Sequence, residues 1–170
     1  MIDVRLFNFI HGFTDKFWLF DWLMTLVARY LGYVLVLGFL ALVFWEKKWR
    51  PRLYFLFLAA VSLLISRGLI TEVIRFFYKR PRPFSALNFT PLIEPLASVS
   101  FPSGHAVFFF GLAAVVFYLN RYWSWWFFAA AILMGLARIF VGLHWPTDVL
   151  AGALVGILIT LATRKFLAHH

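Results

Sequence analysis

Five apolar runs divide this chain, and each approaches or exceeds the length needed to cross a bilayer. They extend from about Trp22 to Trp45, Leu53 to Tyr78, Ser103 to Leu119, Trp123 to Val141 and Thr147 to Phe166. A hydrocarbon core of ~30 Å asks for about 20 helical residues at ~1.5 Å each, so the third run only just suffices. Composition agrees, with 64% hydrophobic and 14% charged residues over 170 positions and a mean hydropathy of +0.87. The expected architecture is all-α: a polytopic membrane helix bundle of about five transmembrane spans. The length fits one domain over 1–170, with no room for a separate soluble one. Ahead of the first span, Val4 to Phe20 carry apolar and polar residues at helical spacing, interrupted by Asp3, Arg5, Asp15 and Lys16. That pattern predicts an amphipathic helix lying in the interface, the sixth helix of the set.

Several function classes drop out early. The absence of cysteine removes disulfides and thiol chemistry. The net charge of +9 suits nucleic acid or acidic lipid in a soluble protein, but in a polytopic one it reads as topogenic, so no nucleic-acid partner is expected. The opening "MIDVRLFNFIHGFTDKFW" lacks the charge pattern and cleavage site of a removable signal peptide. His169 and His170 resemble the remnant of a tag and carry no functional weight. "GALVG", Gly152 to Gly156, has the spacing that lets helices approach closely. Trp22, Trp45, Trp49, Trp123, Trp125 and Trp126 cluster near span ends, as an interfacial belt does. The sequence sets no oligomeric state.

The charges orient the bundle. "WEKKWRPR" between the first two spans, Arg121 after the third, and Arg164 and Lys165 at the end share one side, which the positive-inside rule makes cytoplasmic. The opposite side receives the N-terminus, the loop from Lys79 to Pro102 and the link around His144. That side nevertheless holds Arg75, Lys79, Arg80, Arg82, Arg138, His105, His144 and Asp148. Basic residues there oppose the charge rule, and all sit at the outer ends of spans that a bundle brings together. The simplest partner for so many cations in a low-dielectric setting is a phosphate-like polyanion.

Each residue has a plain reading and a sharper one. In "HWPTD", Pro146 suits a first helical position, which puts Asp148 in the first turn, where a carboxylate complements the helix dipole. The same carboxylate can reach back to His144, accept its ring N–H and leave the other nitrogen free to attack. His105, in "PSGH", is either a buried hydrogen-bonded histidine or a general acid. The Pro102-Ser103-Gly104 start is either a helix cap or an anion cradle built from backbone N–H groups and a hydroxyl. Arg138 snorkels or binds phosphate. Arg82, pinned between Pro81 and Pro83, offers a rigid fork. Glu72 and Arg75 form an i, i+3 pair or serve a site, Arg67 is an intramembrane charge, and Arg29 snorkels or meets substrate. The stretch from Ser85 to Ser98 is a candidate lid.

Taken together these residues resemble the type 2 phosphatidic acid phosphatase superfamily. Its pattern is Lys, six residues, Arg-Pro; then Pro-Ser-Gly-His; then Ser-Arg, five residues, His, three residues, Asp. Arg82-Pro83, Pro102 to His105, and Arg138, His144 and Asp148 fall in that order and spacing, within a resemblance spanning about Leu53 to Thr160. Two positions depart: Arg75 stands for the lysine, and Ala137 for the serine before Arg138. The resemblance implies His144 as a nucleophile that becomes phosphohistidine, Asp148 as its orienting partner, and His105 as the acid for the leaving group. It implies that Arg75, Arg82, Arg138, Ser103 and Gly104 hold the phosphoryl oxygens, and that no cofactor or metal takes part.

Within the superfamily, "FNFIHGF…DWLM" and "RPRPF" look most like bacterial undecaprenyl diphosphate phosphatases. The expected substrate is therefore a lipid (pyro)phosphate in the cytoplasmic membrane, met on its outer face. Phosphatidylglycerol phosphate, phosphatidic acid and lipid A phosphates are competing substrates. A non-catalytic binder or transporter of anionic lipids, and a metal site on His105, His144 and Asp148, are competing classes.

Overall fold

The computed structural model describes residues 2–94 and 98–168; His169 and His170, given no weight above, lie outside the described residues, as does part of the candidate lid. Seven helices and no named strand make up what is described: α1 (Ile2–His11), α2 (Trp18–Trp45), α3 (Trp49–Phe77), α4 (Pro83–Leu87), α5 (Gly104–Leu119), α6 (Arg121–Phe140) and α7 (Pro146–Ala168). Helices α2, α3, α6 and α7 are long and apolar enough to span a membrane, and α5 is the shorter apolar helix among them. The protein is a membrane helix bundle, and α5 is its axis. Ala106, Leu112, Ala113, Val115 and Val116 of α5 are buried against Leu35, Phe39 and Val43 of α2, Leu58 of α3 and Met134 of α6. Leucines and aromatics on the other helices, among them Leu37, Leu64, Phe76 and Leu154, face outward, as expected of a surface solvated by lipid tails.

Local chemistry sets the helix ends. Asn120 accepts from the backbone N–H groups of Tyr122 (3.0 Å) and Trp123 (3.2 Å) at the start of α6, satisfying two of the donors that a helix start leaves open. In the basic link, Arg52 donates to the carbonyls of Phe44 (3.1 Å) and Glu46 (2.8 Å) at the negative end of α2. Gly142, at φ 86°, makes the left-handed turn that brings the chain from α6 toward His144.

The seam between α5 and α7 explains "GALVG". A Cβ at Gly152 would lie 2.6 Å from the Ser103 carbonyl oxygen, and one at Gly156 would collide with the Val107 carbonyl. The two backbones therefore touch, as small-xxx-small helix pairs do. The same contact lets the Ser103 N–H donate to the Asp148 carbonyl at 3.0 Å, locking the starts of α5 and α7 in register.

The N-terminal expectation needs correction. One amphipathic helix from Val4 to Phe20 does not form: α1 stops at His11, and Trp18 to Phe20 begin α2. Thr14 caps the last turn through the His11 carbonyl (2.7 Å), and Asp15 adopts φ 63°, a left-handed conformation that breaks a helix. Nor is α1 free of the bundle. Phe7 is fully buried against Ile139 and Trp145, and His11 Nδ1 lies 2.7 Å from the Phe140 carbonyl. Phe9 and Phe13 stay exposed on its far side.

Within α3, Leu64–Ile70 is π-helical. The Thr71 hydroxyl donates back to the Ser66 carbonyl at 2.8 Å, five residues earlier, and the wider turn re-aims the side chains that follow. Its consequence is local: Arg67 and Glu72, five apart, meet at 2.7 Å.

Candidate active site

The start of α5, the C-terminal parts of α3 and α6, the link before α7 and the Ala28 to Tyr33 stretch of α2 converge on a cavity of about 430 Å³. Its lining includes His105, His144, Arg75, Arg82, Arg138 and Gly104. Six of the eight residues singled out from sequence thus face one space, and the other two, Ser103 and Asp148, stand directly behind Gly104 and His144.

Asp148 is fully buried and strongly held. Its Oδ1 accepts from Arg80 Nη1 at 2.7 Å, and its Oδ2 accepts from the Trp145 N–H at 2.8 Å and from the Ser100 hydroxyl. Arg80 in turn pairs with Asp3 of α1, whose carboxylate also accepts from the Thr147 N–H at 3.1 Å. Sequence reading counted Arg80 among the outer cations but missed Asp3, Ser100 and Thr147. The visible signal was an acid near the N-terminus and a polar residue before "FPSGH". Burial opposes the charge of Arg80, but the carboxylates of Asp3 and Asp148 outweigh it and raise its pKa.

His144 follows the Gly142 turn and is 1% exposed. Its Nδ1 lies 3.7 Å from Asp148 Oδ2, an electrostatic contact longer than a hydrogen bond. Nδ1 has no hydrogen-bond partner among the described residues. The Nδ1 edge faces Asp148, and the residue lines the cavity. Burial is the main cause lowering the His144 pKa to about 4, with Asp148 opposing it and Arg82 and Arg138 adding to it. The ring is therefore neutral at pH 7, with one nitrogen lone pair available.

His105 is the second residue of α5. Among the described residues it has no hydrogen-bond partner; its nearest ring neighbour is Phe109, with centroids 6.2 Å apart. Ser103 occupies the cap position of α5 but makes no side-chain cap bond; its hydroxyl is buried without a partner, so capping does not account for it.

The three motif arginines are partly spent and partly free. Arg75 donates to Glu72 (3.1 Å) and to the Pro102 carbonyl (3.2 Å). Arg82 donates to the Leu143 carbonyl at 2.9 Å, and burial draws its pKa below the ordinary arginine value, with Arg75 adding to the effect and Asp148 opposing it. Arg138 reaches across to the Ala28 carbonyl at 3.3 Å rather than snorkelling outward. The Nε of each is buried with no acceptor. Buried donors without partners are rare in folded proteins, and like charges clustered this way are stabilised by a bound anion. No set of three or more metal-ligating side chains gathers among the described residues, so His105, His144 and Asp148 do not form one.

A second cavity of about 350 Å³ adjoins the first, lined by Gly32, Val36, Phe108, Phe109 and Met134. Arg29, Tyr33, Arg67, Gly104 and His105 border both. The two cavities thus share a wall of cationic and aromatic side chains between α2 and α5, and the second adds apolar ones.

Comparisons with known proteins carry this geometry further. Residues 53–169 match the PAP2 superfamily. The chain is 31% identical to the undecaprenyl-diphosphatase BcrC of Bacillus subtilis, over 97% of this chain and 84% of that one. It is 27% identical to the bacitracin transport permease protein BcrC of Bacillus licheniformis, over 94% and 78%. Its fold superposes on the crystal structure of Aquifex aeolicus LpxE with a TM-score of 0.80 and 28% identity, covering 97% and 96% of the two chains. The chain is therefore a membrane lipid phosphatase and a member of the PAP2 superfamily.

Proposed function

We propose that this phosphatase converts an isoprenoid diphosphate, undecaprenyl diphosphate above all, to the monophosphate and inorganic phosphate on the extracytoplasmic face of the cytoplasmic membrane. One observation carries the reading: a neutral imidazole, a second unpartnered imidazole and three arginines with unpaired donors face one chamber that shares a wall with a second, where apolar side chains are added. A head with two charged groups on a greasy tail fits that pair of chambers. The Bacillus subtilis relative, itself an undecaprenyl-diphosphatase, supports the choice of substrate. The outward assignment is supported by Lys47, Lys48, Arg50, Arg52, Arg121, Arg164 and Lys165 at the opposite end, the side the positive-inside rule makes cytoplasmic.

The reaction runs in two displacements. His144 Nε2 attacks the terminal phosphorus; an N–P bond forms, the P–O bond to the bridging oxygen breaks, and its electron pair leaves with the lipid monophosphate. His105, entering the step protonated, gives that oxygen a proton and is left neutral. Arg75, Arg82, Arg138, the Ser103 hydroxyl and the Gly104 N–H hold the three equatorial oxygens as charge spreads over them. Asp148 faces the Nδ1–H edge and stabilises the positive charge that the phosphorylated ring acquires. Water then enters on the side the lipid has left; His105 takes its proton, an O–P bond forms, the N–P bond breaks, and phosphate departs with His144 restored. A rigid Asp148 matters because the ring must not turn between the two steps.

The test is a single turnover with substrate labelled in the terminal phosphate. Label is expected on His144, stable in base and lost in acid, and absent in His144→Ala. Turnover without labelled protein would sink the covalent route. A panel of undecaprenyl diphosphate, phosphatidylglycerol phosphate, phosphatidic acid and lipid A, read as released phosphate, ranks the substrates. A lipid binder or transporter would release none.

A further inference from the structure

Arg29 and Arg67 stand outside the superfamily motifs, yet both border the two chambers. Their depth is unusual. From Trp18 to Arg29 along α2, and from Arg67 to Phe77 along α3, the axis measures about 15 Å at ~1.5 Å per residue. Both Cα positions thus lie well below the outer helix ends, while Arg75 and Arg138 sit within the last turn of theirs. A charge at that depth is costly unless something there needs it.

Arg67 is aimed by the π-helical turn. Its guanidinium rises against the Pro-Ser-Gly-His segment, so closely that a Cβ on Gly104 would lie 2.5 Å from its Nε. Its one carboxylate partner, Glu72, is shared with Arg75, and one carboxylate between two guanidiniums leaves net positive charge. Arg29 has no hydrogen bond or ion pair among the described residues, and Tyr33 stands one turn further on the same side of α2. Neither a structural ion pair nor a satisfied donor explains the two arginines together.

The juxtaposition of features is what identifies the ligand. Arg29 and Arg67 border both the side lined by Val36, Phe108 and Met134 and the motif cluster, where Arg67 shares Glu72 with Arg75 and Arg138 reaches the Ala28 carbonyl beside Arg29. We propose that Arg29 and Arg67 form a second anion subsite, which holds the chain-proximal phosphate of a lipid diphosphate while Arg75, Arg82 and Arg138 hold the terminal one. This rests on the diphosphate reading above and adds the device that selects diphosphate over monophosphate. Two phosphates joined by one bridging oxygen span adjacent arginine groups, and the lipid chain continues into the apolar side. When the bridging bond breaks, the same pair neutralises the charge arriving on the leaving phosphate.

The experiment compares the full chain with Arg29→Gln, Arg67→Gln and the double variant, in detergent, on farnesyl diphosphate and farnesyl phosphate. The ratio of the two kcat/KM values is expected to fall about tenfold in each single variant and further in the double, as a lost charge-assisted contact implies. Arg50→Gln, at the opposite end, leaves the ratio unchanged and controls for handling. A parallel arm measures thermal stabilisation by methylenebisphosphonate and by inorganic phosphate, which needs no turnover. Wild type should bind the bisphosphonate more tightly, and the double variant should bind both alike. Wild type that prefers the diphosphate, with variants that lower both substrates equally, overturns the subsite and leaves the proposed function standing. Wild type that cleaves only the monophosphate overturns the diphosphate reading, and the subsite falls with it if the bisphosphonate shows no advantage over phosphate.

Discussion

The two ends of this bundle use the same residue type in opposite ways. At the end that carries Arg50, Arg52, Arg121 and Arg164 the arginines find local partners. Arg50 lies over Trp49, Arg121 over Phe117 and Arg164 over Tyr118 at 3.9 Å, and Arg52 closes the end of α2. At the other end Arg75, Arg82 and Arg138 crowd one chamber with buried Nε donors unpaired. The first set anchors and orients. The second stores a deficit that an anion cancels. Arg52 Nε is also buried without an acceptor, so an unmet donor alone does not tell the ends apart; convergence of three arginines on one chamber does.

If that contrast is right, removing the groups that face the chamber costs rate, and the largest cost falls on the nucleophile. His144→Ala should lower kcat by about 10⁴-fold or more, since no other described group replaces the attacking nitrogen. Residual turnover within tenfold of wild type would break the comparison at its centre. Arg138→Gln comes next. A transition-state donor of this kind contributes about 10²–10³-fold, and the loss should appear in kcat as well as KM. Asp148→Asn should cost a similar factor, with a share from structure, because Arg80 and Asp3 lose their anchor.

Much of this was legible in the sequence because it is local. Apolar runs have a length, and "PSGH" and "HWPTD" place each functional side chain within a turn of a helix start, so span ends and site residues could be read together. What escaped depends on partners far along the chain. Asp148 is held by Arg80 and Ser100, 68 and 48 residues away, and Arg80 by Asp3, 77 away. The docking of α1 through Phe7 on Ile139 and Trp145 has the same character. The π-helical turn escaped for another reason: "LISRGLI" has no residue that breaks an α-helix outright, and the extra residue shows in the Thr71–Ser66 hydrogen bond and the Arg67–Glu72 pairing.

The seam offers a smaller, structural test. Gly156→Ala puts a methyl group into the Val107 carbonyl, so α5 and α7 must separate, at about 1–3 kcal/mol for overpacking. A lowered Tm, with His105 and His144 still in place, should reduce activity less than any chamber variant does. Unchanged stability would mean that α5 and α7 are not in backbone contact.

The pH response sharpens the comparison further. The folded pKa of His144 is lowered from 6.5 to about 4, so between those values the unfolded chain binds a proton that the folded one does not. Stability is therefore lost as pH falls from 6.5 toward 4. Thermal unfolding at pH 7 and pH 4.5 should show a smaller acid loss in His144→Asn than in wild type. Over the same window wild-type His144 remains an unprotonated nucleophile until pH approaches 4.

The smallest effect belongs to the opposite end. Arg164 rests on Tyr118 in a cation–π contact, worth about 0.5–1 kcal/mol at an exposed site. Arg164→Gln should lower Tm slightly and leave kcat and KM unaltered, because nothing at that end converges on a shared ligand. A change in kcat/KM there comparable to that of Arg138→Gln would mean the two ends are coupled through α7. The division into an anchoring end and a binding end would then give way to a single charge network running the length of the helix.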